Sequence, residues 1–291
     1  MSANTPDTAF ETHRRRLMAL AYRLLGSRSD AEEVVQDAWL RWHQADQASI
    51  RDPEGWLVTA TTRLGIDRLR LARTQREVYP GPWLPEPLTV DDSPGPEQQA
   101  DVAGQVSLAF LALLEKLGPE ERAAFLLKDV FDYDYAQIAE LLGHTEANCR
   151  QMASRARTRV QAERPRFAVA PDTHRQLLER FMHAMQRGDR DSIVALLHAD
   201  ARLVSDGGGK VTAVIRPLEG AARIADLYWT VARRTAGAAE VRIGHVNGEP
   251  ALLRFHDGHL HSISTISVDE DGRITQVLSV LNPDKLRGLH V

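Results

Sequence analysis

Residues 135–159 constrain the fold of this chain more than any other stretch. Tyr135, Ile138, Ala139, Leu141 and Leu142 fall on one side of a 3.6-residue repeat, which predicts a short amphipathic helix. Gly143 follows, where a left-handed backbone costs least. Thr145 is placed to cap a second helix, and Cys149, Met152, Ala153, Ala156 and Val160 give that helix a buried stripe. Asn148, Arg150, Gln151, Ser154, Arg155, Arg157 and Arg159 are left facing out. Two helices across so tight a turn make a helix-turn-helix, and these outward side chains are of the types that bond base edges and phosphates. The same pattern also suits a plain helical hairpin with a solvated charged face. Charge favours nucleic acid, because His144 to Ala168 holds six Arg against two Glu.

The whole chain is not basic. Its net charge of −4 over 291 residues excludes a protein that coats DNA by bulk attraction, so contacts must come from local patches. Residues 1–88 carry 12 bases and 12 acids, residues 172–291 carry 15 of each, and Thr89 to Ser107 carries four acids and no base. The lone Cys149 cannot form an intrachain disulfide, which fits a reducing cytoplasm, and its place on the inner stripe predicts a packed thiol. No apolar run reaches the length of a bilayer span and the N-terminus lacks an apolar signal core. A soluble cytoplasmic protein without a membrane partner is expected.

Three helices open the chain. Phe10 to Leu25 has Leu17, Leu20, Ala21, Leu24 and Leu25 on one face and stops at Gly26. Ser29-Asp30-Ala31-Glu32 predicts a capping box for a second helix with Val34, Val35, Ala38 and Trp39 inside. Asp52-Pro53 predicts the start of a third, through Trp56, Leu57, Ala60, Leu64 and Leu69. Pro80, Pro82, Pro85, Pro87, Pro94 and Pro96 then force an extended ribbon. A second helical block, Val106 to Arg166, contains the helix-turn-helix. After Pro171 come helices over Thr173 to Arg187, Arg190 to Leu197 and near Ala221 to Arg234. Asn247-Gly248, Asp257-Gly258 and Asp271-Gly272 between alternating apolar runs predict hairpins, hence an α+β domain.

Two blocks of motifs resemble a known family. Leu20-Ala-Tyr-Arg-Leu-Leu-Gly-Ser, Asp30-Ala-Glu-Glu-Val-Val-Gln-Asp-Ala-Trp-Leu-Arg-Trp and Trp56-Leu-Val-Thr-Ala-Thr-Thr-Arg-Leu-Gly-Ile-Asp-Arg-Leu-Arg look like region 2 of bacterial extracytoplasmic-function sigma factors of the sigma-70 family. Leu114-Glu-Lys-Leu-Gly-Pro-Glu-Glu-Arg-Ala-Ala-Phe-Leu-Leu and the helix-turn-helix look like region 4. Trp83-Leu-Pro-Glu-Pro, Asp206-Gly-Gly-Gly-Lys and Asn282-Pro-Asp-Lys-Leu resemble a SigJ-like subgroup with a SnoaL-like C-terminal extension. The resemblance implies a multidomain protein of two all-α sigma domains and an α+β cone-shaped barrel. Its parts are region 2 at 9–78, a Pro-rich linker at 79–107, region 4 at 108–167 and the SnoaL-like domain at 173–291.

The implied function is that of a sigma factor, not an enzyme, with core RNA polymerase (β′ and β subunits) and promoter DNA as partners. Glu33, Gln36, Asp37 and Arg41 form an outward stripe that alone is just a solvated face; the resemblance implies docking on the polymerase clamp, led by Gln36 and Asp37. It likewise implies that Arg63, Asp67, Arg70 and Arg73, with Arg68 beside them, and the loop His43 to Asp52 recognise a −10 element. Trp39, Trp42 and Trp56 suit either a core or base stacking. Asn148, Arg150, Gln151, Ser154 and Arg155 are the −35 contacts so implied.

The C-terminal extension needs its own explanation. His259 and His261 share a strand face but have no third ligand at a defined spacing, so neither metal nor cofactor is expected. Asp206 suits a general base in an apolar pocket, yet Gly207, Gly208 and Gly209 after it suit a close backbone approach. The subgroup resemblance implies control in cis. Trp83, Leu84 and Pro85 in the ribbon would meet Asp206 to Lys210 and the tail residues Asn282, Pro283, Asp284, Lys285 and Leu286, with a small ligand in the cavity as a further partner. The competing reading is a stand-alone helix-turn-helix regulator, or a DNA-binding protein fused to a ligand-binding or enzymatic domain.

Overall fold

Gly26, at φ 64°, closes the first helix, α1 (Pro6–Leu25), by returning its amide to the Tyr22 carbonyl at 2.8 Å. The computed structural model describes residues 6–88, 90–91, 106–163, 171–234, 239–287 and 289. Pro94 and Pro96, and the end of the second helical block beyond Glu163, lie outside the described residues. The chain divides into two units: Met1–Glu77 with Leu111–Arg164, and Val78–Phe110 with Pro165–Val291.

In the first unit, α2 (Arg28–Gln44) begins earlier than the Ser29 box predicts. Ser27 has the extended backbone of an N-cap and accepts from the Asp30 amide at 3.3 Å, whereas Ser29 is already helical. The third helix, α3 (Pro53–Glu77), starts where Asp52 accepts from the Gly55 amide at 3.0 Å. Leu17, Leu24, Leu57 and Leu69 pack the three helices. The inner tryptophan of α2 is Trp42, 2% exposed with its ring 5.4 Å from that of Trp56; Trp39 stays half-buried against His43. The expectation for Trp39 is thus corrected by one helical turn.

The second block folds as α4 (Leu108–Leu114), α5 (Pro119–Asp129), α6 (Tyr135–Leu142) and α7 (Glu146–Glu163). Asp134 and Gln137 form a reciprocal capping box at the start of α6. Gly143, at φ 72°, ends it, and Thr145 accepts from the Asn148 amide at 3.2 Å to start α7. Ile138, Leu141, Cys149, Met152, Ala153, Ala156 and Val160 are all buried.

The second unit is a sheet with helices on one side. Its elements are α8 (Pro171–Arg187), α9 (Arg190–Leu196), β2 (Leu197–Asp206), β3 (Leu218–Glu219), α10 (Ala221–Arg234), β4 (Ala239–Val246), β5 (Glu249–His256), β6 (His259–Val268), β7 (Ile274–Val280) and α11 (Pro283–Leu286). The ribbon adds an edge strand, β1 (Val90–Asp91), giving the order β1-β4-β5-β6-β7-β2-β3, with only β7 and β2 parallel. Asn247 and Gly248 have φ of 50° and 79°, and Asp257 and Gly258 have 49° and 76°, the left-handed pairs that two-residue hairpins need. Leu178, Phe181, Ile224 and Ala225 of α8 and α10 pack on Leu203, Leu252, Ile266 and Val277. The alternating partners Leu253, Ile263, Leu278 and Val280 point to the opposite face and are buried as well.

Candidate nucleic-acid interface and ribbon-docking site

The outward face of α7 is exposed but not uniform. Arg150, Gln151 and Ser154 are exposed, and Asn148 is half-buried. The Arg150 guanidinium lies 4.9 Å from the Tyr135 ring centroid and 3.7 Å from Glu146, so α6 helps to hold it on the surface. Other arginines are already engaged. Arg155 and Arg159 reach Glu121 of α5 at 3.0 and 2.8 Å, and Arg157 grips Asp129 with two bonds of 2.9 and 3.0 Å. Arg155, Arg157 and Arg159 do face outward, but each is also paired with α5, the first and last sharing Glu121.

On α2, Glu33, Gln36, Asp37 and Arg41 are exposed. Glu33 is shared, because Arg68 of α3 binds it at 2.6 Å and Asp30 at 2.8 Å. Arg68 therefore ties α3 to α2 and does not join Arg63, Asp67, Arg70 and Arg73; a one-residue step on a helix turns its side chain by about 100°. Arg73 and Asp67 are exposed. Arg70 binds Asp67 at 3.1 Å and Glu120 of α5 at 2.6 Å. Arg63 donates to the carbonyls of Leu141 and Glu140 at 3.0 and 3.4 Å. Trp42 is core and has no face for a base, whereas Trp56 keeps part of its ring accessible.

The two helical blocks of this unit thus hold each other. Arg16 donates to the Phe131 carbonyl and lies over the Phe131 and Tyr133 rings. Glu115 binds both Arg76 and the fully buried Arg122, and these two arginines also donate to the Leu25 and Arg23 carbonyls at 3.0 and 2.9 Å. Between the blocks lies a groove of about 990 Å³, lined among others by Arg41, Arg51, Trp56 and Arg63 on one side and Tyr133 and Glu140 on the other. Arg16 carries no sequence pattern that would have singled it out, and Glu120 and Glu121 fall within the quoted motif without any sign of the arginines they bind.

In the second unit, the ribbon docks on Asp206, which is 0% exposed. Its carboxylate accepts from the Tyr79 hydroxyl at 2.5 Å, the Lys285 ammonium at 2.6 Å, the Leu84 amide at 2.9 Å and the Gly208 amide at 3.1 Å. Its carbonyl accepts from the Leu281 and Asn282 amides. Lys285 also donates to the Leu84 carbonyl and sits 4.0 Å from the Trp83 ring centroid. Asn282 donates to the Tyr79 oxygen at 2.9 Å and accepts from the Asp284 amide, capping α11. Burial, with the Asp206 carboxylate holding its proton, pushes the Tyr79 hydroxyl well above its ordinary range. Asp284 pairs with Lys210, while Pro283 begins α11; Leu84, Pro85 and Leu286 are buried.

The three glycines are spatial requirements. A Cβ on Gly208 (φ 62°) would lie 2.4 Å from the Asn282 amide nitrogen, one on Gly209 (φ 69°) 2.8 Å from Pro80, and one on Gly207 2.7 Å from Ala213. Farther along, Asn247 in the β4–β5 turn accepts from the Leu88 amide at 2.8 Å and donates to the Val106 carbonyl at 3.0 Å. Neither Tyr79 nor Asn247 was legible as a docking residue. Asn247 reads as a turn residue, though its 3% exposure is unusual for one.

Asp206 is saturated by hydrogen bonds, which leaves no lone pair directed at a substrate and sets aside the general-base reading. Among the described residues, no group of three His, Cys, Asp or Glu is placed to hold a metal, and no helix is long and apolar enough to cross a membrane.

Two helical blocks, one with a groove-sized recognition helix, joined by a ribbon that docks on an α+β domain, define a modular DNA-binding transcription protein. Residues 9–75 match the family model described as Sigma-70 region 2, residues 107–160 Sigma-70 region 4, and residues 178–277 a SnoaL-like domain. The chain is 39% identical to the ECF RNA polymerase sigma factor SigJ of Mycobacterium tuberculosis, over 96% of this chain and 92% of that protein. It is 33% identical to the probable sigma factor SigI of the same organism, over 98% and 97%. The crystal structure of Mycobacterium tuberculosis SigJ superposes with a TM-score of 0.78 at 36% identity, covering 96% of this chain and 98% of that one. The chain belongs to the extracytoplasmic-function RNA polymerase sigma factors, in the group with a C-terminal SnoaL-like domain. Binding to core polymerase and promoter DNA follows from that membership, and a stand-alone regulator does not.

Proposed function

We propose that this sigma factor is held closed by its own chain and that the C-terminal domain controls the opening. The observation that carries the reading is the engagement of Arg63 and Arg70 of α3 by α6 and α5. Elements named −35 and −10 are about 25 base pairs apart, roughly 85 Å along B-DNA. Blocks that touch cannot read both, so they must separate on the promoter. The ribbon joins them, and a ribbon fastened at Asp206 and Asn247 has less length to give than an unfastened one.

In the open state, Glu33, Gln36, Asp37 and Arg41 of α2 dock on the β′ clamp, and the second block meets β. Arg63, Asp67, Arg70 and Arg73, with the loop before α3, take the −10 element, where Trp56 offers an aromatic face. Asn148, Arg150, Gln151, Ser154 and Arg155 take the −35 element. Release of Asp206 from the ribbon, or a small ligand in the C-terminal domain, shifts the balance by binding one state better than the other. In vitro transcription with core polymerase tests this by comparing the full chain, an Asp206→Ala variant and a chain ending near Arg166. Changed promoter output with polymerase binding intact supports control in cis; identical output from all three sinks it.

A further inference from the structure

The groove between the two helical blocks of the first unit holds charge that the fold does not use. Of its four arginines, Arg16 pairs with Glu54 at 3.2 Å and donates to the Phe131 carbonyl, and Arg63 is spent on the Leu141 and Glu140 carbonyls. Arg41 and Arg51 are exposed and make no hydrogen bond or ion pair among the described residues. The acids are less free. Asp52 accepts from the Gly55 amide, Glu54 is held by Arg16, and the Asp132 side chain is 99% exposed, 3.9 Å from Lys128. Glu140 of α6 is left as an exposed carboxylate against two unpaired guanidiniums and the charge of Arg63.

An aromatic face borders the same space. Trp56 is half-buried, with Trp42 packed on one side of its ring at 5.4 Å between centroids, and it lines the groove with Ser49 and Thr59. These two hydroxyls already donate to the Asp46 and Gly55 carbonyls at 2.6 and 2.7 Å, so guanidiniums are the strong donors left to a ligand. The volume of about 990 Å³ lies at the top of the range of ~300–1,000 Å³ that small-molecule sites occupy. Guanidiniums hold phosphate oxygens with paired bonds, and an indole stacks on any base. A carboxylate or free phosphate would use the cations and leave the indole idle, whereas a nucleotide uses both.

We propose that the groove binds a nucleoside polyphosphate, its phosphates on Arg41 and Arg51 and its base against Trp56, and that the bound nucleotide fastens the two helical blocks together. Residues of both blocks line the space, so this ligand binds the touching arrangement better than the separated one. It also covers Trp56 and Arg63, assigned above to the −10 element, so the nucleotide and an opened promoter strand exclude each other. The inference rests on the closed arrangement proposed above and not on control by the C-terminal domain.

Titration calorimetry on the full chain in magnesium-free buffer, with ATP, tripolyphosphate and adenosine as probes, tests the site. ATP should bind saturably and about tenfold or more tighter than either fragment. Trp56→Leu should reduce ATP to the affinity of tripolyphosphate, and Arg41→Gln combined with Arg51→Gln should reduce it to that of adenosine. Glu140→Lys, on the opposite block, should tighten ATP about threefold or more at low salt, a gain that misfolding cannot produce. Hydrogen exchange of the α6 amides should slow when ATP is bound. Absent saturable ATP binding overturns the site, as does ATP binding no tighter than tripolyphosphate, which marks an anion site only. ATP binding that Glu140→Lys leaves unchanged, with α6 exchange also unchanged, places the nucleotide on α2 and α3 alone and overturns the fastening. The closed arrangement is read separately, from α6 exchange in the protein without nucleotide, so its failure is distinct from failure of the site.

Discussion

Arg63 donates through Nε to the Leu141 carbonyl at 3.0 Å, so an arginine of α3 caps the C-terminal end of α6. A helix C-terminus carries partial negative charge and unsatisfied carbonyls, and a guanidinium suits both. Glu120 makes the neighbouring contact through Arg70. Removing either should loosen the packing of the two blocks by about 1–2 kcal/mol. Native-state hydrogen exchange of the α6 amides reads this directly; protection unchanged in both Arg63→Ala and Glu120→Gln would show that the apolar contacts suffice.

Asp206→Ala leaves the Lys285 ammonium buried without its carboxylate and removes the acceptor of Tyr79 and Leu84. Breaking a buried pair in this way costs about 3–5 kcal/mol. Chymotrypsin should then cut the ribbon after Trp83, which is held in the parent protein; Pro80 protects the bond after Tyr79 in both. Equal cleavage rates in the two proteins would refute the latch.

Gly208→Ala combines a left-handed backbone with a Cβ 2.4 Å from Asn282. The backbone term alone is about 1–2 kcal/mol, and the displaced Asn282 also loses its contact with Tyr79. The melting temperature should fall by several degrees, whereas Gly258→Ala, with open space around it, should show only the backbone term. A larger loss at Gly258 contradicts the spatial argument.

Arg150→Ala should weaken −35 binding by about tenfold or more, the scale of one good base contact, without a large change in melting temperature. Arg157→Ala should instead lower stability through the loss of Asp129 and change footprinting little. Reversed phenotypes would exchange the two roles.

Glu249 stands opposite Val246, which pairs in turn with Val90 of the ribbon. Burial pushes its carboxyl up to about 7. The folded state therefore keeps a proton that the unfolded chain releases. This contribution is full below the ordinary value of 4.5 and is lost as pH rises to about 7. Thermal stability should fall by several degrees between about pH 5 and pH 8 in the parent and less in Glu249→Gln. Parallel curves would mean that Glu249 is ionised throughout.

Local signals in the sequence carried the helix-turn-helix, the hairpin turns and the glycine run, because each rests on backbone preferences or short-range periodicity. Gly143 and Asn247-Gly248 have the conformations their residue types predict. Contacts that join distant segments carry no local signal: the meeting of Leu84 and Lys285 with Asp206 was expected only from the subgroup resemblance. Arg68 and Arg70 look alike two residues apart, yet one turns to α2 and the other to α5. Tyr79 and Asn247 take their roles from partners 127 and 159 residues away in sequence, and no periodicity encodes such pairs. The Ser27 cap was missed for a smaller reason: two serines two residues apart compete, and only the backbone angles decide.

Asn247 holds Leu88 and Val106 with the two atoms of a single amide, so the separation of these points does not depend on how many residues run between them. Doubling that stretch would add only about 0.6 kcal/mol of closure entropy. Both anchors therefore keep their position on the β4–β5 turn whatever the number of residues between them.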